Sequence, residues 1–175
     1  MDKETLRKAV IKQRLELSNQ EILTKSRMIC QKIINTPEYK TAKVVYMYYA
    51  VNNEVSLRMI YDDCKKNNKI MAFPKVVGDE IKFCVAESED DFEIGKFSIP
   101  EPKSNEEAPA PDIILVPGVA FSQDCMRIGY GGGFYDKFLS NTTVHSIGIC
   151  YKFQVLDRIP TSSHDERLDE IVFDD

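Results

Sequence analysis

Four short runs of β-branched and aromatic residues recur along this chain, separated by segments with helical periodicity, and that alternation constrains the fold more than any other feature. The runs are residues 43–50 (KVVYMYYA), 69–73 (KIMAF), 112–116 (DIILV) and 144–150 (VHSIGIC). Each reads as a buried strand. Two helices precede the first run. Residues 3–17 put Leu6, Val10 and Leu17 on one stripe, with Lys and Arg elsewhere. Ser18, with Glu21 three residues on, is a capping-box pattern that opens a second helix. Its Ile22, Ile29 and Ile33 face the core, and Thr36-Pro37 stops it. Ser56 caps a third helix, whose apolar face is Leu57, Ile60, Tyr61 and Cys64. Pro74 ends the second strand, Val76 to Ile81 reads as a hairpin turn into residues 82–85, and residues 167–173 read as a last, edge strand. This order predicts an α/β fold. It is a three-layer, Rossmann-like arrangement with a mostly parallel mixed sheet flanked by helices, plus a small antiparallel hairpin. Residues 100–111 carry four prolines and predict a loop, so a single domain over residues 1–175 is expected.

Composition narrows the classes. Of 175 residues, 43% are hydrophobic and 29% charged, which excludes global disorder. No apolar run approaches a membrane span, and MDKETLRKAV lacks a signal-peptide core, so a cytoplasmic protein without membrane association is expected. Five well-separated cysteines without a C-x-x-C pair predict reduced, mostly buried thiols. The net charge of −5 is uneven: residues 1–75 hold 15 Lys/Arg against 8 Asp/Glu, and residues 76–175 hold 8 against 20. The basic half could face an anion and the acidic half a cation, although two unequal solvated faces fit the same counts.

The chemistry concentrates in Arg127-Ile128-Gly129-Tyr130-Gly131-Gly132-Gly133-Phe134-Tyr135-Asp136, between the third strand and a short helix predicted at 134–139. Successive glycines let backbone N–H groups turn into one concavity, and a helix start adds partial positive charge, which together suit phosphate oxygens. Neither the Walker pattern nor G-x-G-x-x-G is present, and a tight turn packed on the sheet also fits the run. Lys3 and Arg7 lie one helical turn apart and could clamp phosphates; a solvated face is the alternative. Glu54 follows the first strand, where a carboxylate can accept hydrogen bonds from an amino-substituted heterocycle. Among Tyr46, Tyr48 and Tyr49, mainly sheet core, one could stack on a ring. Asp169, in the acidic run from His164 to Glu170, could meet Asp136 and share a Mg²⁺ with phosphate oxygens; a solvated acidic face is the alternative.

Taken in order, these motifs resemble the 5-formyltetrahydrofolate cyclo-ligase family. They are K-x-x-x-R at Lys3 to Arg7, N-E-V at Asn53 to Val55, F-P-K-V at Phe73 to Val76, and V-P-G-V-A-F at Val116 to Phe121. R-I-G-x-G-G-G-F-Y-D at Arg127 to Asp136 and H-D-x-x-x-D at His164 to Asp169 complete the set. The resemblance implies ATP- and Mg²⁺-dependent cyclisation of 5-formyltetrahydrofolate to 5,10-methenyltetrahydrofolate, with release of ADP and phosphate. It implies that Lys3, Arg7 and Arg127, Ile128, Gly129, Tyr130, Gly131, Gly132, Gly133, Phe134 and Tyr135 hold ATP. Tyr49, Glu54, Tyr130 and Phe134 would meet the folate, Asp136 and Asp169 would hold Mg²⁺, and Arg127 and Asp136 would act in catalysis. The expected partners are the two small-molecule substrates, with no nucleic acid, in a monomer. Two other readings fit parts of the sequence: an α/β enzyme for another phosphorylated small molecule, and a non-catalytic nucleotide- or RNA-binding module. The acidic pI of about 5.2 weighs against nucleic acid.

Overall fold

The computed structural model describes residues 1–175. Its helices are α1 (Lys3–Leu15), α2 (Asn19–Ile34), α3 (Pro37–Thr41), α4 (Arg58–Lys66) and α5 (Phe134–Leu139). Its strands are β1 (Val44–Tyr46), β2 (Ile70–Val77), β3 (Glu80–Val85), β4 (Phe92–Ile94), β5 (Pro100–Pro102) and β6 (Ile113–Val116). They continue with β7 (Ala120–Ser122), β8 (Arg127–Ile128), β9 (His145–Ile149), β10 (Val155–Leu156) and β11 (Glu170–Val172).

Six strands form the main sheet in the order β11-β9-β6-β1-β2-β3, parallel throughout except for the β2–β3 hairpin. Alternation along the strands divides the core between two faces. Val45, Ile113, Leu115, Ile147 and Ile149 pack with Ile29, Ile33 and Ile60 of α2 and α4. Val44, Tyr46, Ile114 and Val116 point the other way, against Phe83, Phe121 and Leu139 of α5. The result is the three-layer α/β arrangement expected from the sequence. A second sheet, β10-β7-β8, had no sequence signal. Val119, Ala120 and Ile128 in and around it receive Leu6 and Val10 of α1. No helix is long and apolar enough to cross a membrane. All five cysteines are free, and four are buried.

The chain leaves β1 toward β2 on one side and later returns through β6 on the other, so β1 and β6 are neighbours at a topological switch point. Ligands bind outside the carboxyl ends of strands at such a point.

Several local expectations need correction. The first strand is Val44–Tyr46, not residues 43–50, because the chain bends away into a turn built on Asn52 and Asn53, at φ 52° and 61°. Pro74 does not end β2. Beyond Ala72, β2 pairs only with β3, so a missing N–H on the open side costs nothing. Thr36-Pro37 stops α2 but also starts α3, with Thr36 as cap and Pro in the first turn. Within 100–111, Pro100–Pro102 is a strand paired with β4. Leu17 lies beyond the end of α1, although it packs against the core.

Candidate active site

A cavity of about 490 Å³ opens at the carboxyl ends of β1 and β6. Lys3, Arg7, Tyr49, Glu54, Asp136 and every residue from Arg127 to Tyr135 line it. The far wall comes from Pro74, Val76 and Ile81 of the β2–β3 hairpin and from Lys96, Phe97, Ile99 and Glu101 around the β4–β5 turn.

The glycine loop is shaped by backbone need and by close approach. Gly131 has φ +107°, which L side chains rarely adopt. A Cβ at Gly129 would lie 2.7 Å from Arg127 Nη1. Arg7 reaches across from α1 and donates from Nε to the Gly129 carbonyl at 2.8 Å. Lys3 pairs with Asp165 at 2.8 Å. Burial works against the Asp165 charge, but the Lys3 bond and the Ser162 N–H outweigh it and hold the carboxyl below its usual range.

Arg127 is buried beneath the loop. Its Nη1 donates to the Pro117 carbonyl at 3.0 Å, Nη2 lies 3.9 Å from Asp136 Oδ1, and the guanidinium sits 5.4 Å from the Tyr135 ring centre. Burial pulls its pKa below the usual value, and the Asp136 charge opposes that. Its Nε and the Tyr135 hydroxyl are buried with no hydrogen-bond partner. A buried polar group left without a partner is costly.

Glu54 closes its own turn: its Oε1 accepts from Val51 N–H at 2.8 Å, and its Oε2 accepts from the Tyr130 hydroxyl at 3.0 Å. Burial pushes its carboxyl above the usual range, against the Val51 N–H and the Arg14 charge. Tyr49 donates to Glu89 Oε2 at 2.9 Å and meets the Phe92 ring edge-on, tying the end of β1 to the β4–β5 hairpin.

Asp169 does not join this set. Its Oδ2 accepts from Ser146 N–H at 2.8 Å and lies 3.8 Å from His145, at the amino end of β9, and it does not line the cavity. Near Asp136 the structure instead brings Glu166, whose N–H donates to Asp136 Oδ1 at 3.1 Å, and the cavity-lining Asp165. No cluster of three or more His, Cys, Asp or Glu side chains forms a protein-only metal cage.

Sequence reasoning missed Arg14, Phe97 and Asp165. Arg14 follows Leu6 and Val10 at four-residue intervals on the buried stripe of α1, and a charged residue at that register was the available signal. Asp165 is the first Asp of the H-D-x-x-x-D motif, which was its available signal; Phe97 had none, because loops carry no periodicity.

The sequence profile of the 5-formyltetrahydrofolate cyclo-ligase family matches residues 1–174. The fold resembles a 5,10-methenyltetrahydrofolate synthetase from Aquifex aeolicus, with a TM-score of 0.88 and 34% identity, over 99% of this chain and 90% of that one. It also resembles the synthetase from Mycoplasma pneumoniae, with a TM-score of 0.80 and 30% identity, over 98% of both chains. A probable 5-formyltetrahydrofolate cyclo-ligase from Schizosaccharomyces pombe is 30% identical over 90% of this chain and 87% of its own length.

Proposed function

The chain belongs to the 5-formyltetrahydrofolate cyclo-ligase family of enzymes, and we propose that it converts 5-formyltetrahydrofolate and ATP into 5,10-methenyltetrahydrofolate, ADP and phosphate. The observation that carries this reading is that one cavity, beside the glycine loop, brings the cations Lys3 and Arg7 together with the buried carboxylate of Glu54. The cations suit phosphoryl oxygens. The carboxylate suits the amino and N–H edge of a pterin.

The formyl oxygen of the substrate is a poor leaving group. In this reading it attacks the γ-phosphorus of ATP, and ADP departs. The second folate nitrogen then adds to the activated carbon, loses its proton, and expels phosphate as the ring closes. The substrate supplies the nucleophile, so the protein needs positioning and charge stabilisation rather than a nucleophilic side chain. Lys3, Arg7 and the loop from Arg127 to Tyr135 hold the phosphates. Arg127 meets the charge that develops on the transferred group. Tyr49, Glu54, Tyr130 and Phe134 hold the folate.

The donor set fits a Mg²⁺ carried mainly by phosphate oxygens with one protein carboxylate, Asp136, whose Oδ2 has no protein partner. Such an ion supplies neutralisation of phosphate charge. Asp169 falls outside this set, since it lies at the amino end of β9 and does not line the cavity.

The test is the absorbance of methenyltetrahydrofolate formed from 5-formyltetrahydrofolate, with ATP and Mg²⁺ omitted in turn. Product only when both are present is the expected result. No product from folded protein refutes the reading.

A further inference from the structure

We infer that Arg14 is a positioning residue for Glu54: it braces the three loops that leave β1, β6 and β8, and it fixes the Glu54 carboxylate through the Tyr130 hydroxyl. The inference rests on the reading of Glu54 as the folate-facing carboxylate and adds how that group is held.

Arg14 is 1% exposed and forms no ion pair, which is rare for a guanidinium. Its donors are used on three segments distant in sequence. Nε donates to the Asn52 carbonyl at 2.9 Å, Nη1 to the Gly118 carbonyl at 3.3 Å, and Nη2 to the Tyr130 hydroxyl oxygen at 2.5 Å. Its own carbonyl accepts from Asn53 Nδ2 at 3.1 Å. One side chain of α1 therefore spans the turn after β1, the loop after β6 and the glycine loop.

The direction of the hydrogen-bond chain follows from chemistry. A guanidinium can only donate. Tyr130, accepting from Arg14, is left with its own proton to place, and Glu54 Oε2 lies 3.0 Å away. Arg14 thus orients the phenol, and the phenol fixes the carboxylate. The other titratable groups facing Glu54 are Tyr48, Tyr61 of α4, Tyr135 of α5 and Tyr151, all uncharged near neutrality. Arg14 is its cationic neighbour. The same brace joins the folate side of the cavity, at Glu54, to the ATP side, at the glycine loop.

The experiment compares Arg14→Gln, Tyr130→Phe and the double variant. Tyr130 is half-exposed, so Tyr130→Phe keeps the test alive if Arg14→Gln does not fold. The ligand-free readout is the carboxyl titration of Glu54 by ¹³C NMR. The second readout is steady-state kinetics, in which the folate KM is set beside the ATP KM. Each single variant should raise the Glu54 titration midpoint by about 1 pH unit and the folate KM about tenfold, with the ATP KM within about threefold. The double variant should go little beyond Arg14→Gln alone, because both act along one path. Effects that multiply, or a Glu54 titration unmoved in both singles, overturn the inference. A loss of thermal stability alone also overturns it and leaves Arg14 a structural residue. The titration needs no substrate, so it decides the role of Arg14 even if wild-type protein fails to cyclise 5-formyltetrahydrofolate, a result that would refute only the functional reading.

Discussion

The two walls of the cavity are held in opposite ways. The glycine-loop wall is braced from behind by Arg7 on the Gly129 carbonyl, Arg14 on Tyr130, and buried Arg127 on the Pro117 carbonyl. The β4–β5 wall is a two-stranded hairpin whose turn exposes Phe97 at 62%. Glu101 accepts from Val76 N–H, Lys75 reaches the carbonyls of Pro102, Lys103 and Ser104, and Tyr49 meets Glu89. Groups that stabilise a transferring phosphoryl must stand in place before the reaction. Groups that cover the body of a substrate can be looser, and must yield for entry and release. The difference assigns rate to Arg127 in the first wall, and substrate affinity to the second wall and to the Tyr130–Glu54 contact.

The sharpest way to break that division is at Arg127. Arg127→Lys keeps the charge but removes the fork and the orphaned Nε, and should lower turnover ~1,000-fold, about 4 kcal/mol of transition-state stabilisation. Initial rates at saturating substrates test it; a variant within threefold of wild type would remove Arg127 from the reaction. Asp136→Asn should cost at least ~100-fold in turnover, about 2.7 kcal/mol. Unchanged activity at saturating Mg²⁺ would defeat the metal assignment.

Glu54 tests the boundary between the walls. Glu54→Gln should raise the folate KM about tenfold and leave ATP binding intact. Its pH dependence has a definite sign. Burial raises the Glu54 carboxyl above its ordinary value of 4.5, so it begins to protonate at a higher pH than a free glutamate. Protonation removes an acceptor, so the folate KM should climb as pH falls from neutrality toward that raised value, and Glu54→Gln should flatten this limb. A loss confined to ATP binding would refute the folate role.

The sheet and most of the site were legible in the sequence for one reason: both rest on local signals. Continuous β-branched runs marked β1, β2, β6 and β9, and the glycine run could be placed after β6 because strands and helices alternate. What escaped was tertiary. Arg14 read as one more cation on a basic helix, and only the meeting of three loops shows why it is buried. The sequence singles out Asp169 from its acidic run as the residue able to meet Asp136. Its register beside Ser146 at the start of β9 separates it from Asp165, and no local pattern encodes that difference. Prolines made residues 100–111 look like loop, yet Pro100 and Pro102 sit in a strand of a two-stranded sheet, where an N–H toward the open side is not needed.

The smallest effect is expected on the hairpin wall. Phe97 has φ +62°, packs edge-on to Phe134 at 6.0 Å, and otherwise faces solvent. A bulky residue rarely holds a left-handed conformation, and here the ring stands against Phe134 across the cavity mouth, with Lys96 Nζ 5.6 Å from its centre. Phe97→Ala removes ring area that would cover a bound substrate and loses the contact with the Phe134 ring, but leaves Arg127 and Asp136 untouched. The folate KM should rise about threefold to fivefold, with kcat and the ATP KM unchanged, since lost uniform binding appears in KM alone. Steady-state kinetics with each substrate varied separate these terms. If kcat instead falls as far as in Asp136→Asn, the hairpin belongs to the pre-organised machinery, and the division between a rigid catalytic wall and a yielding binding wall is wrong.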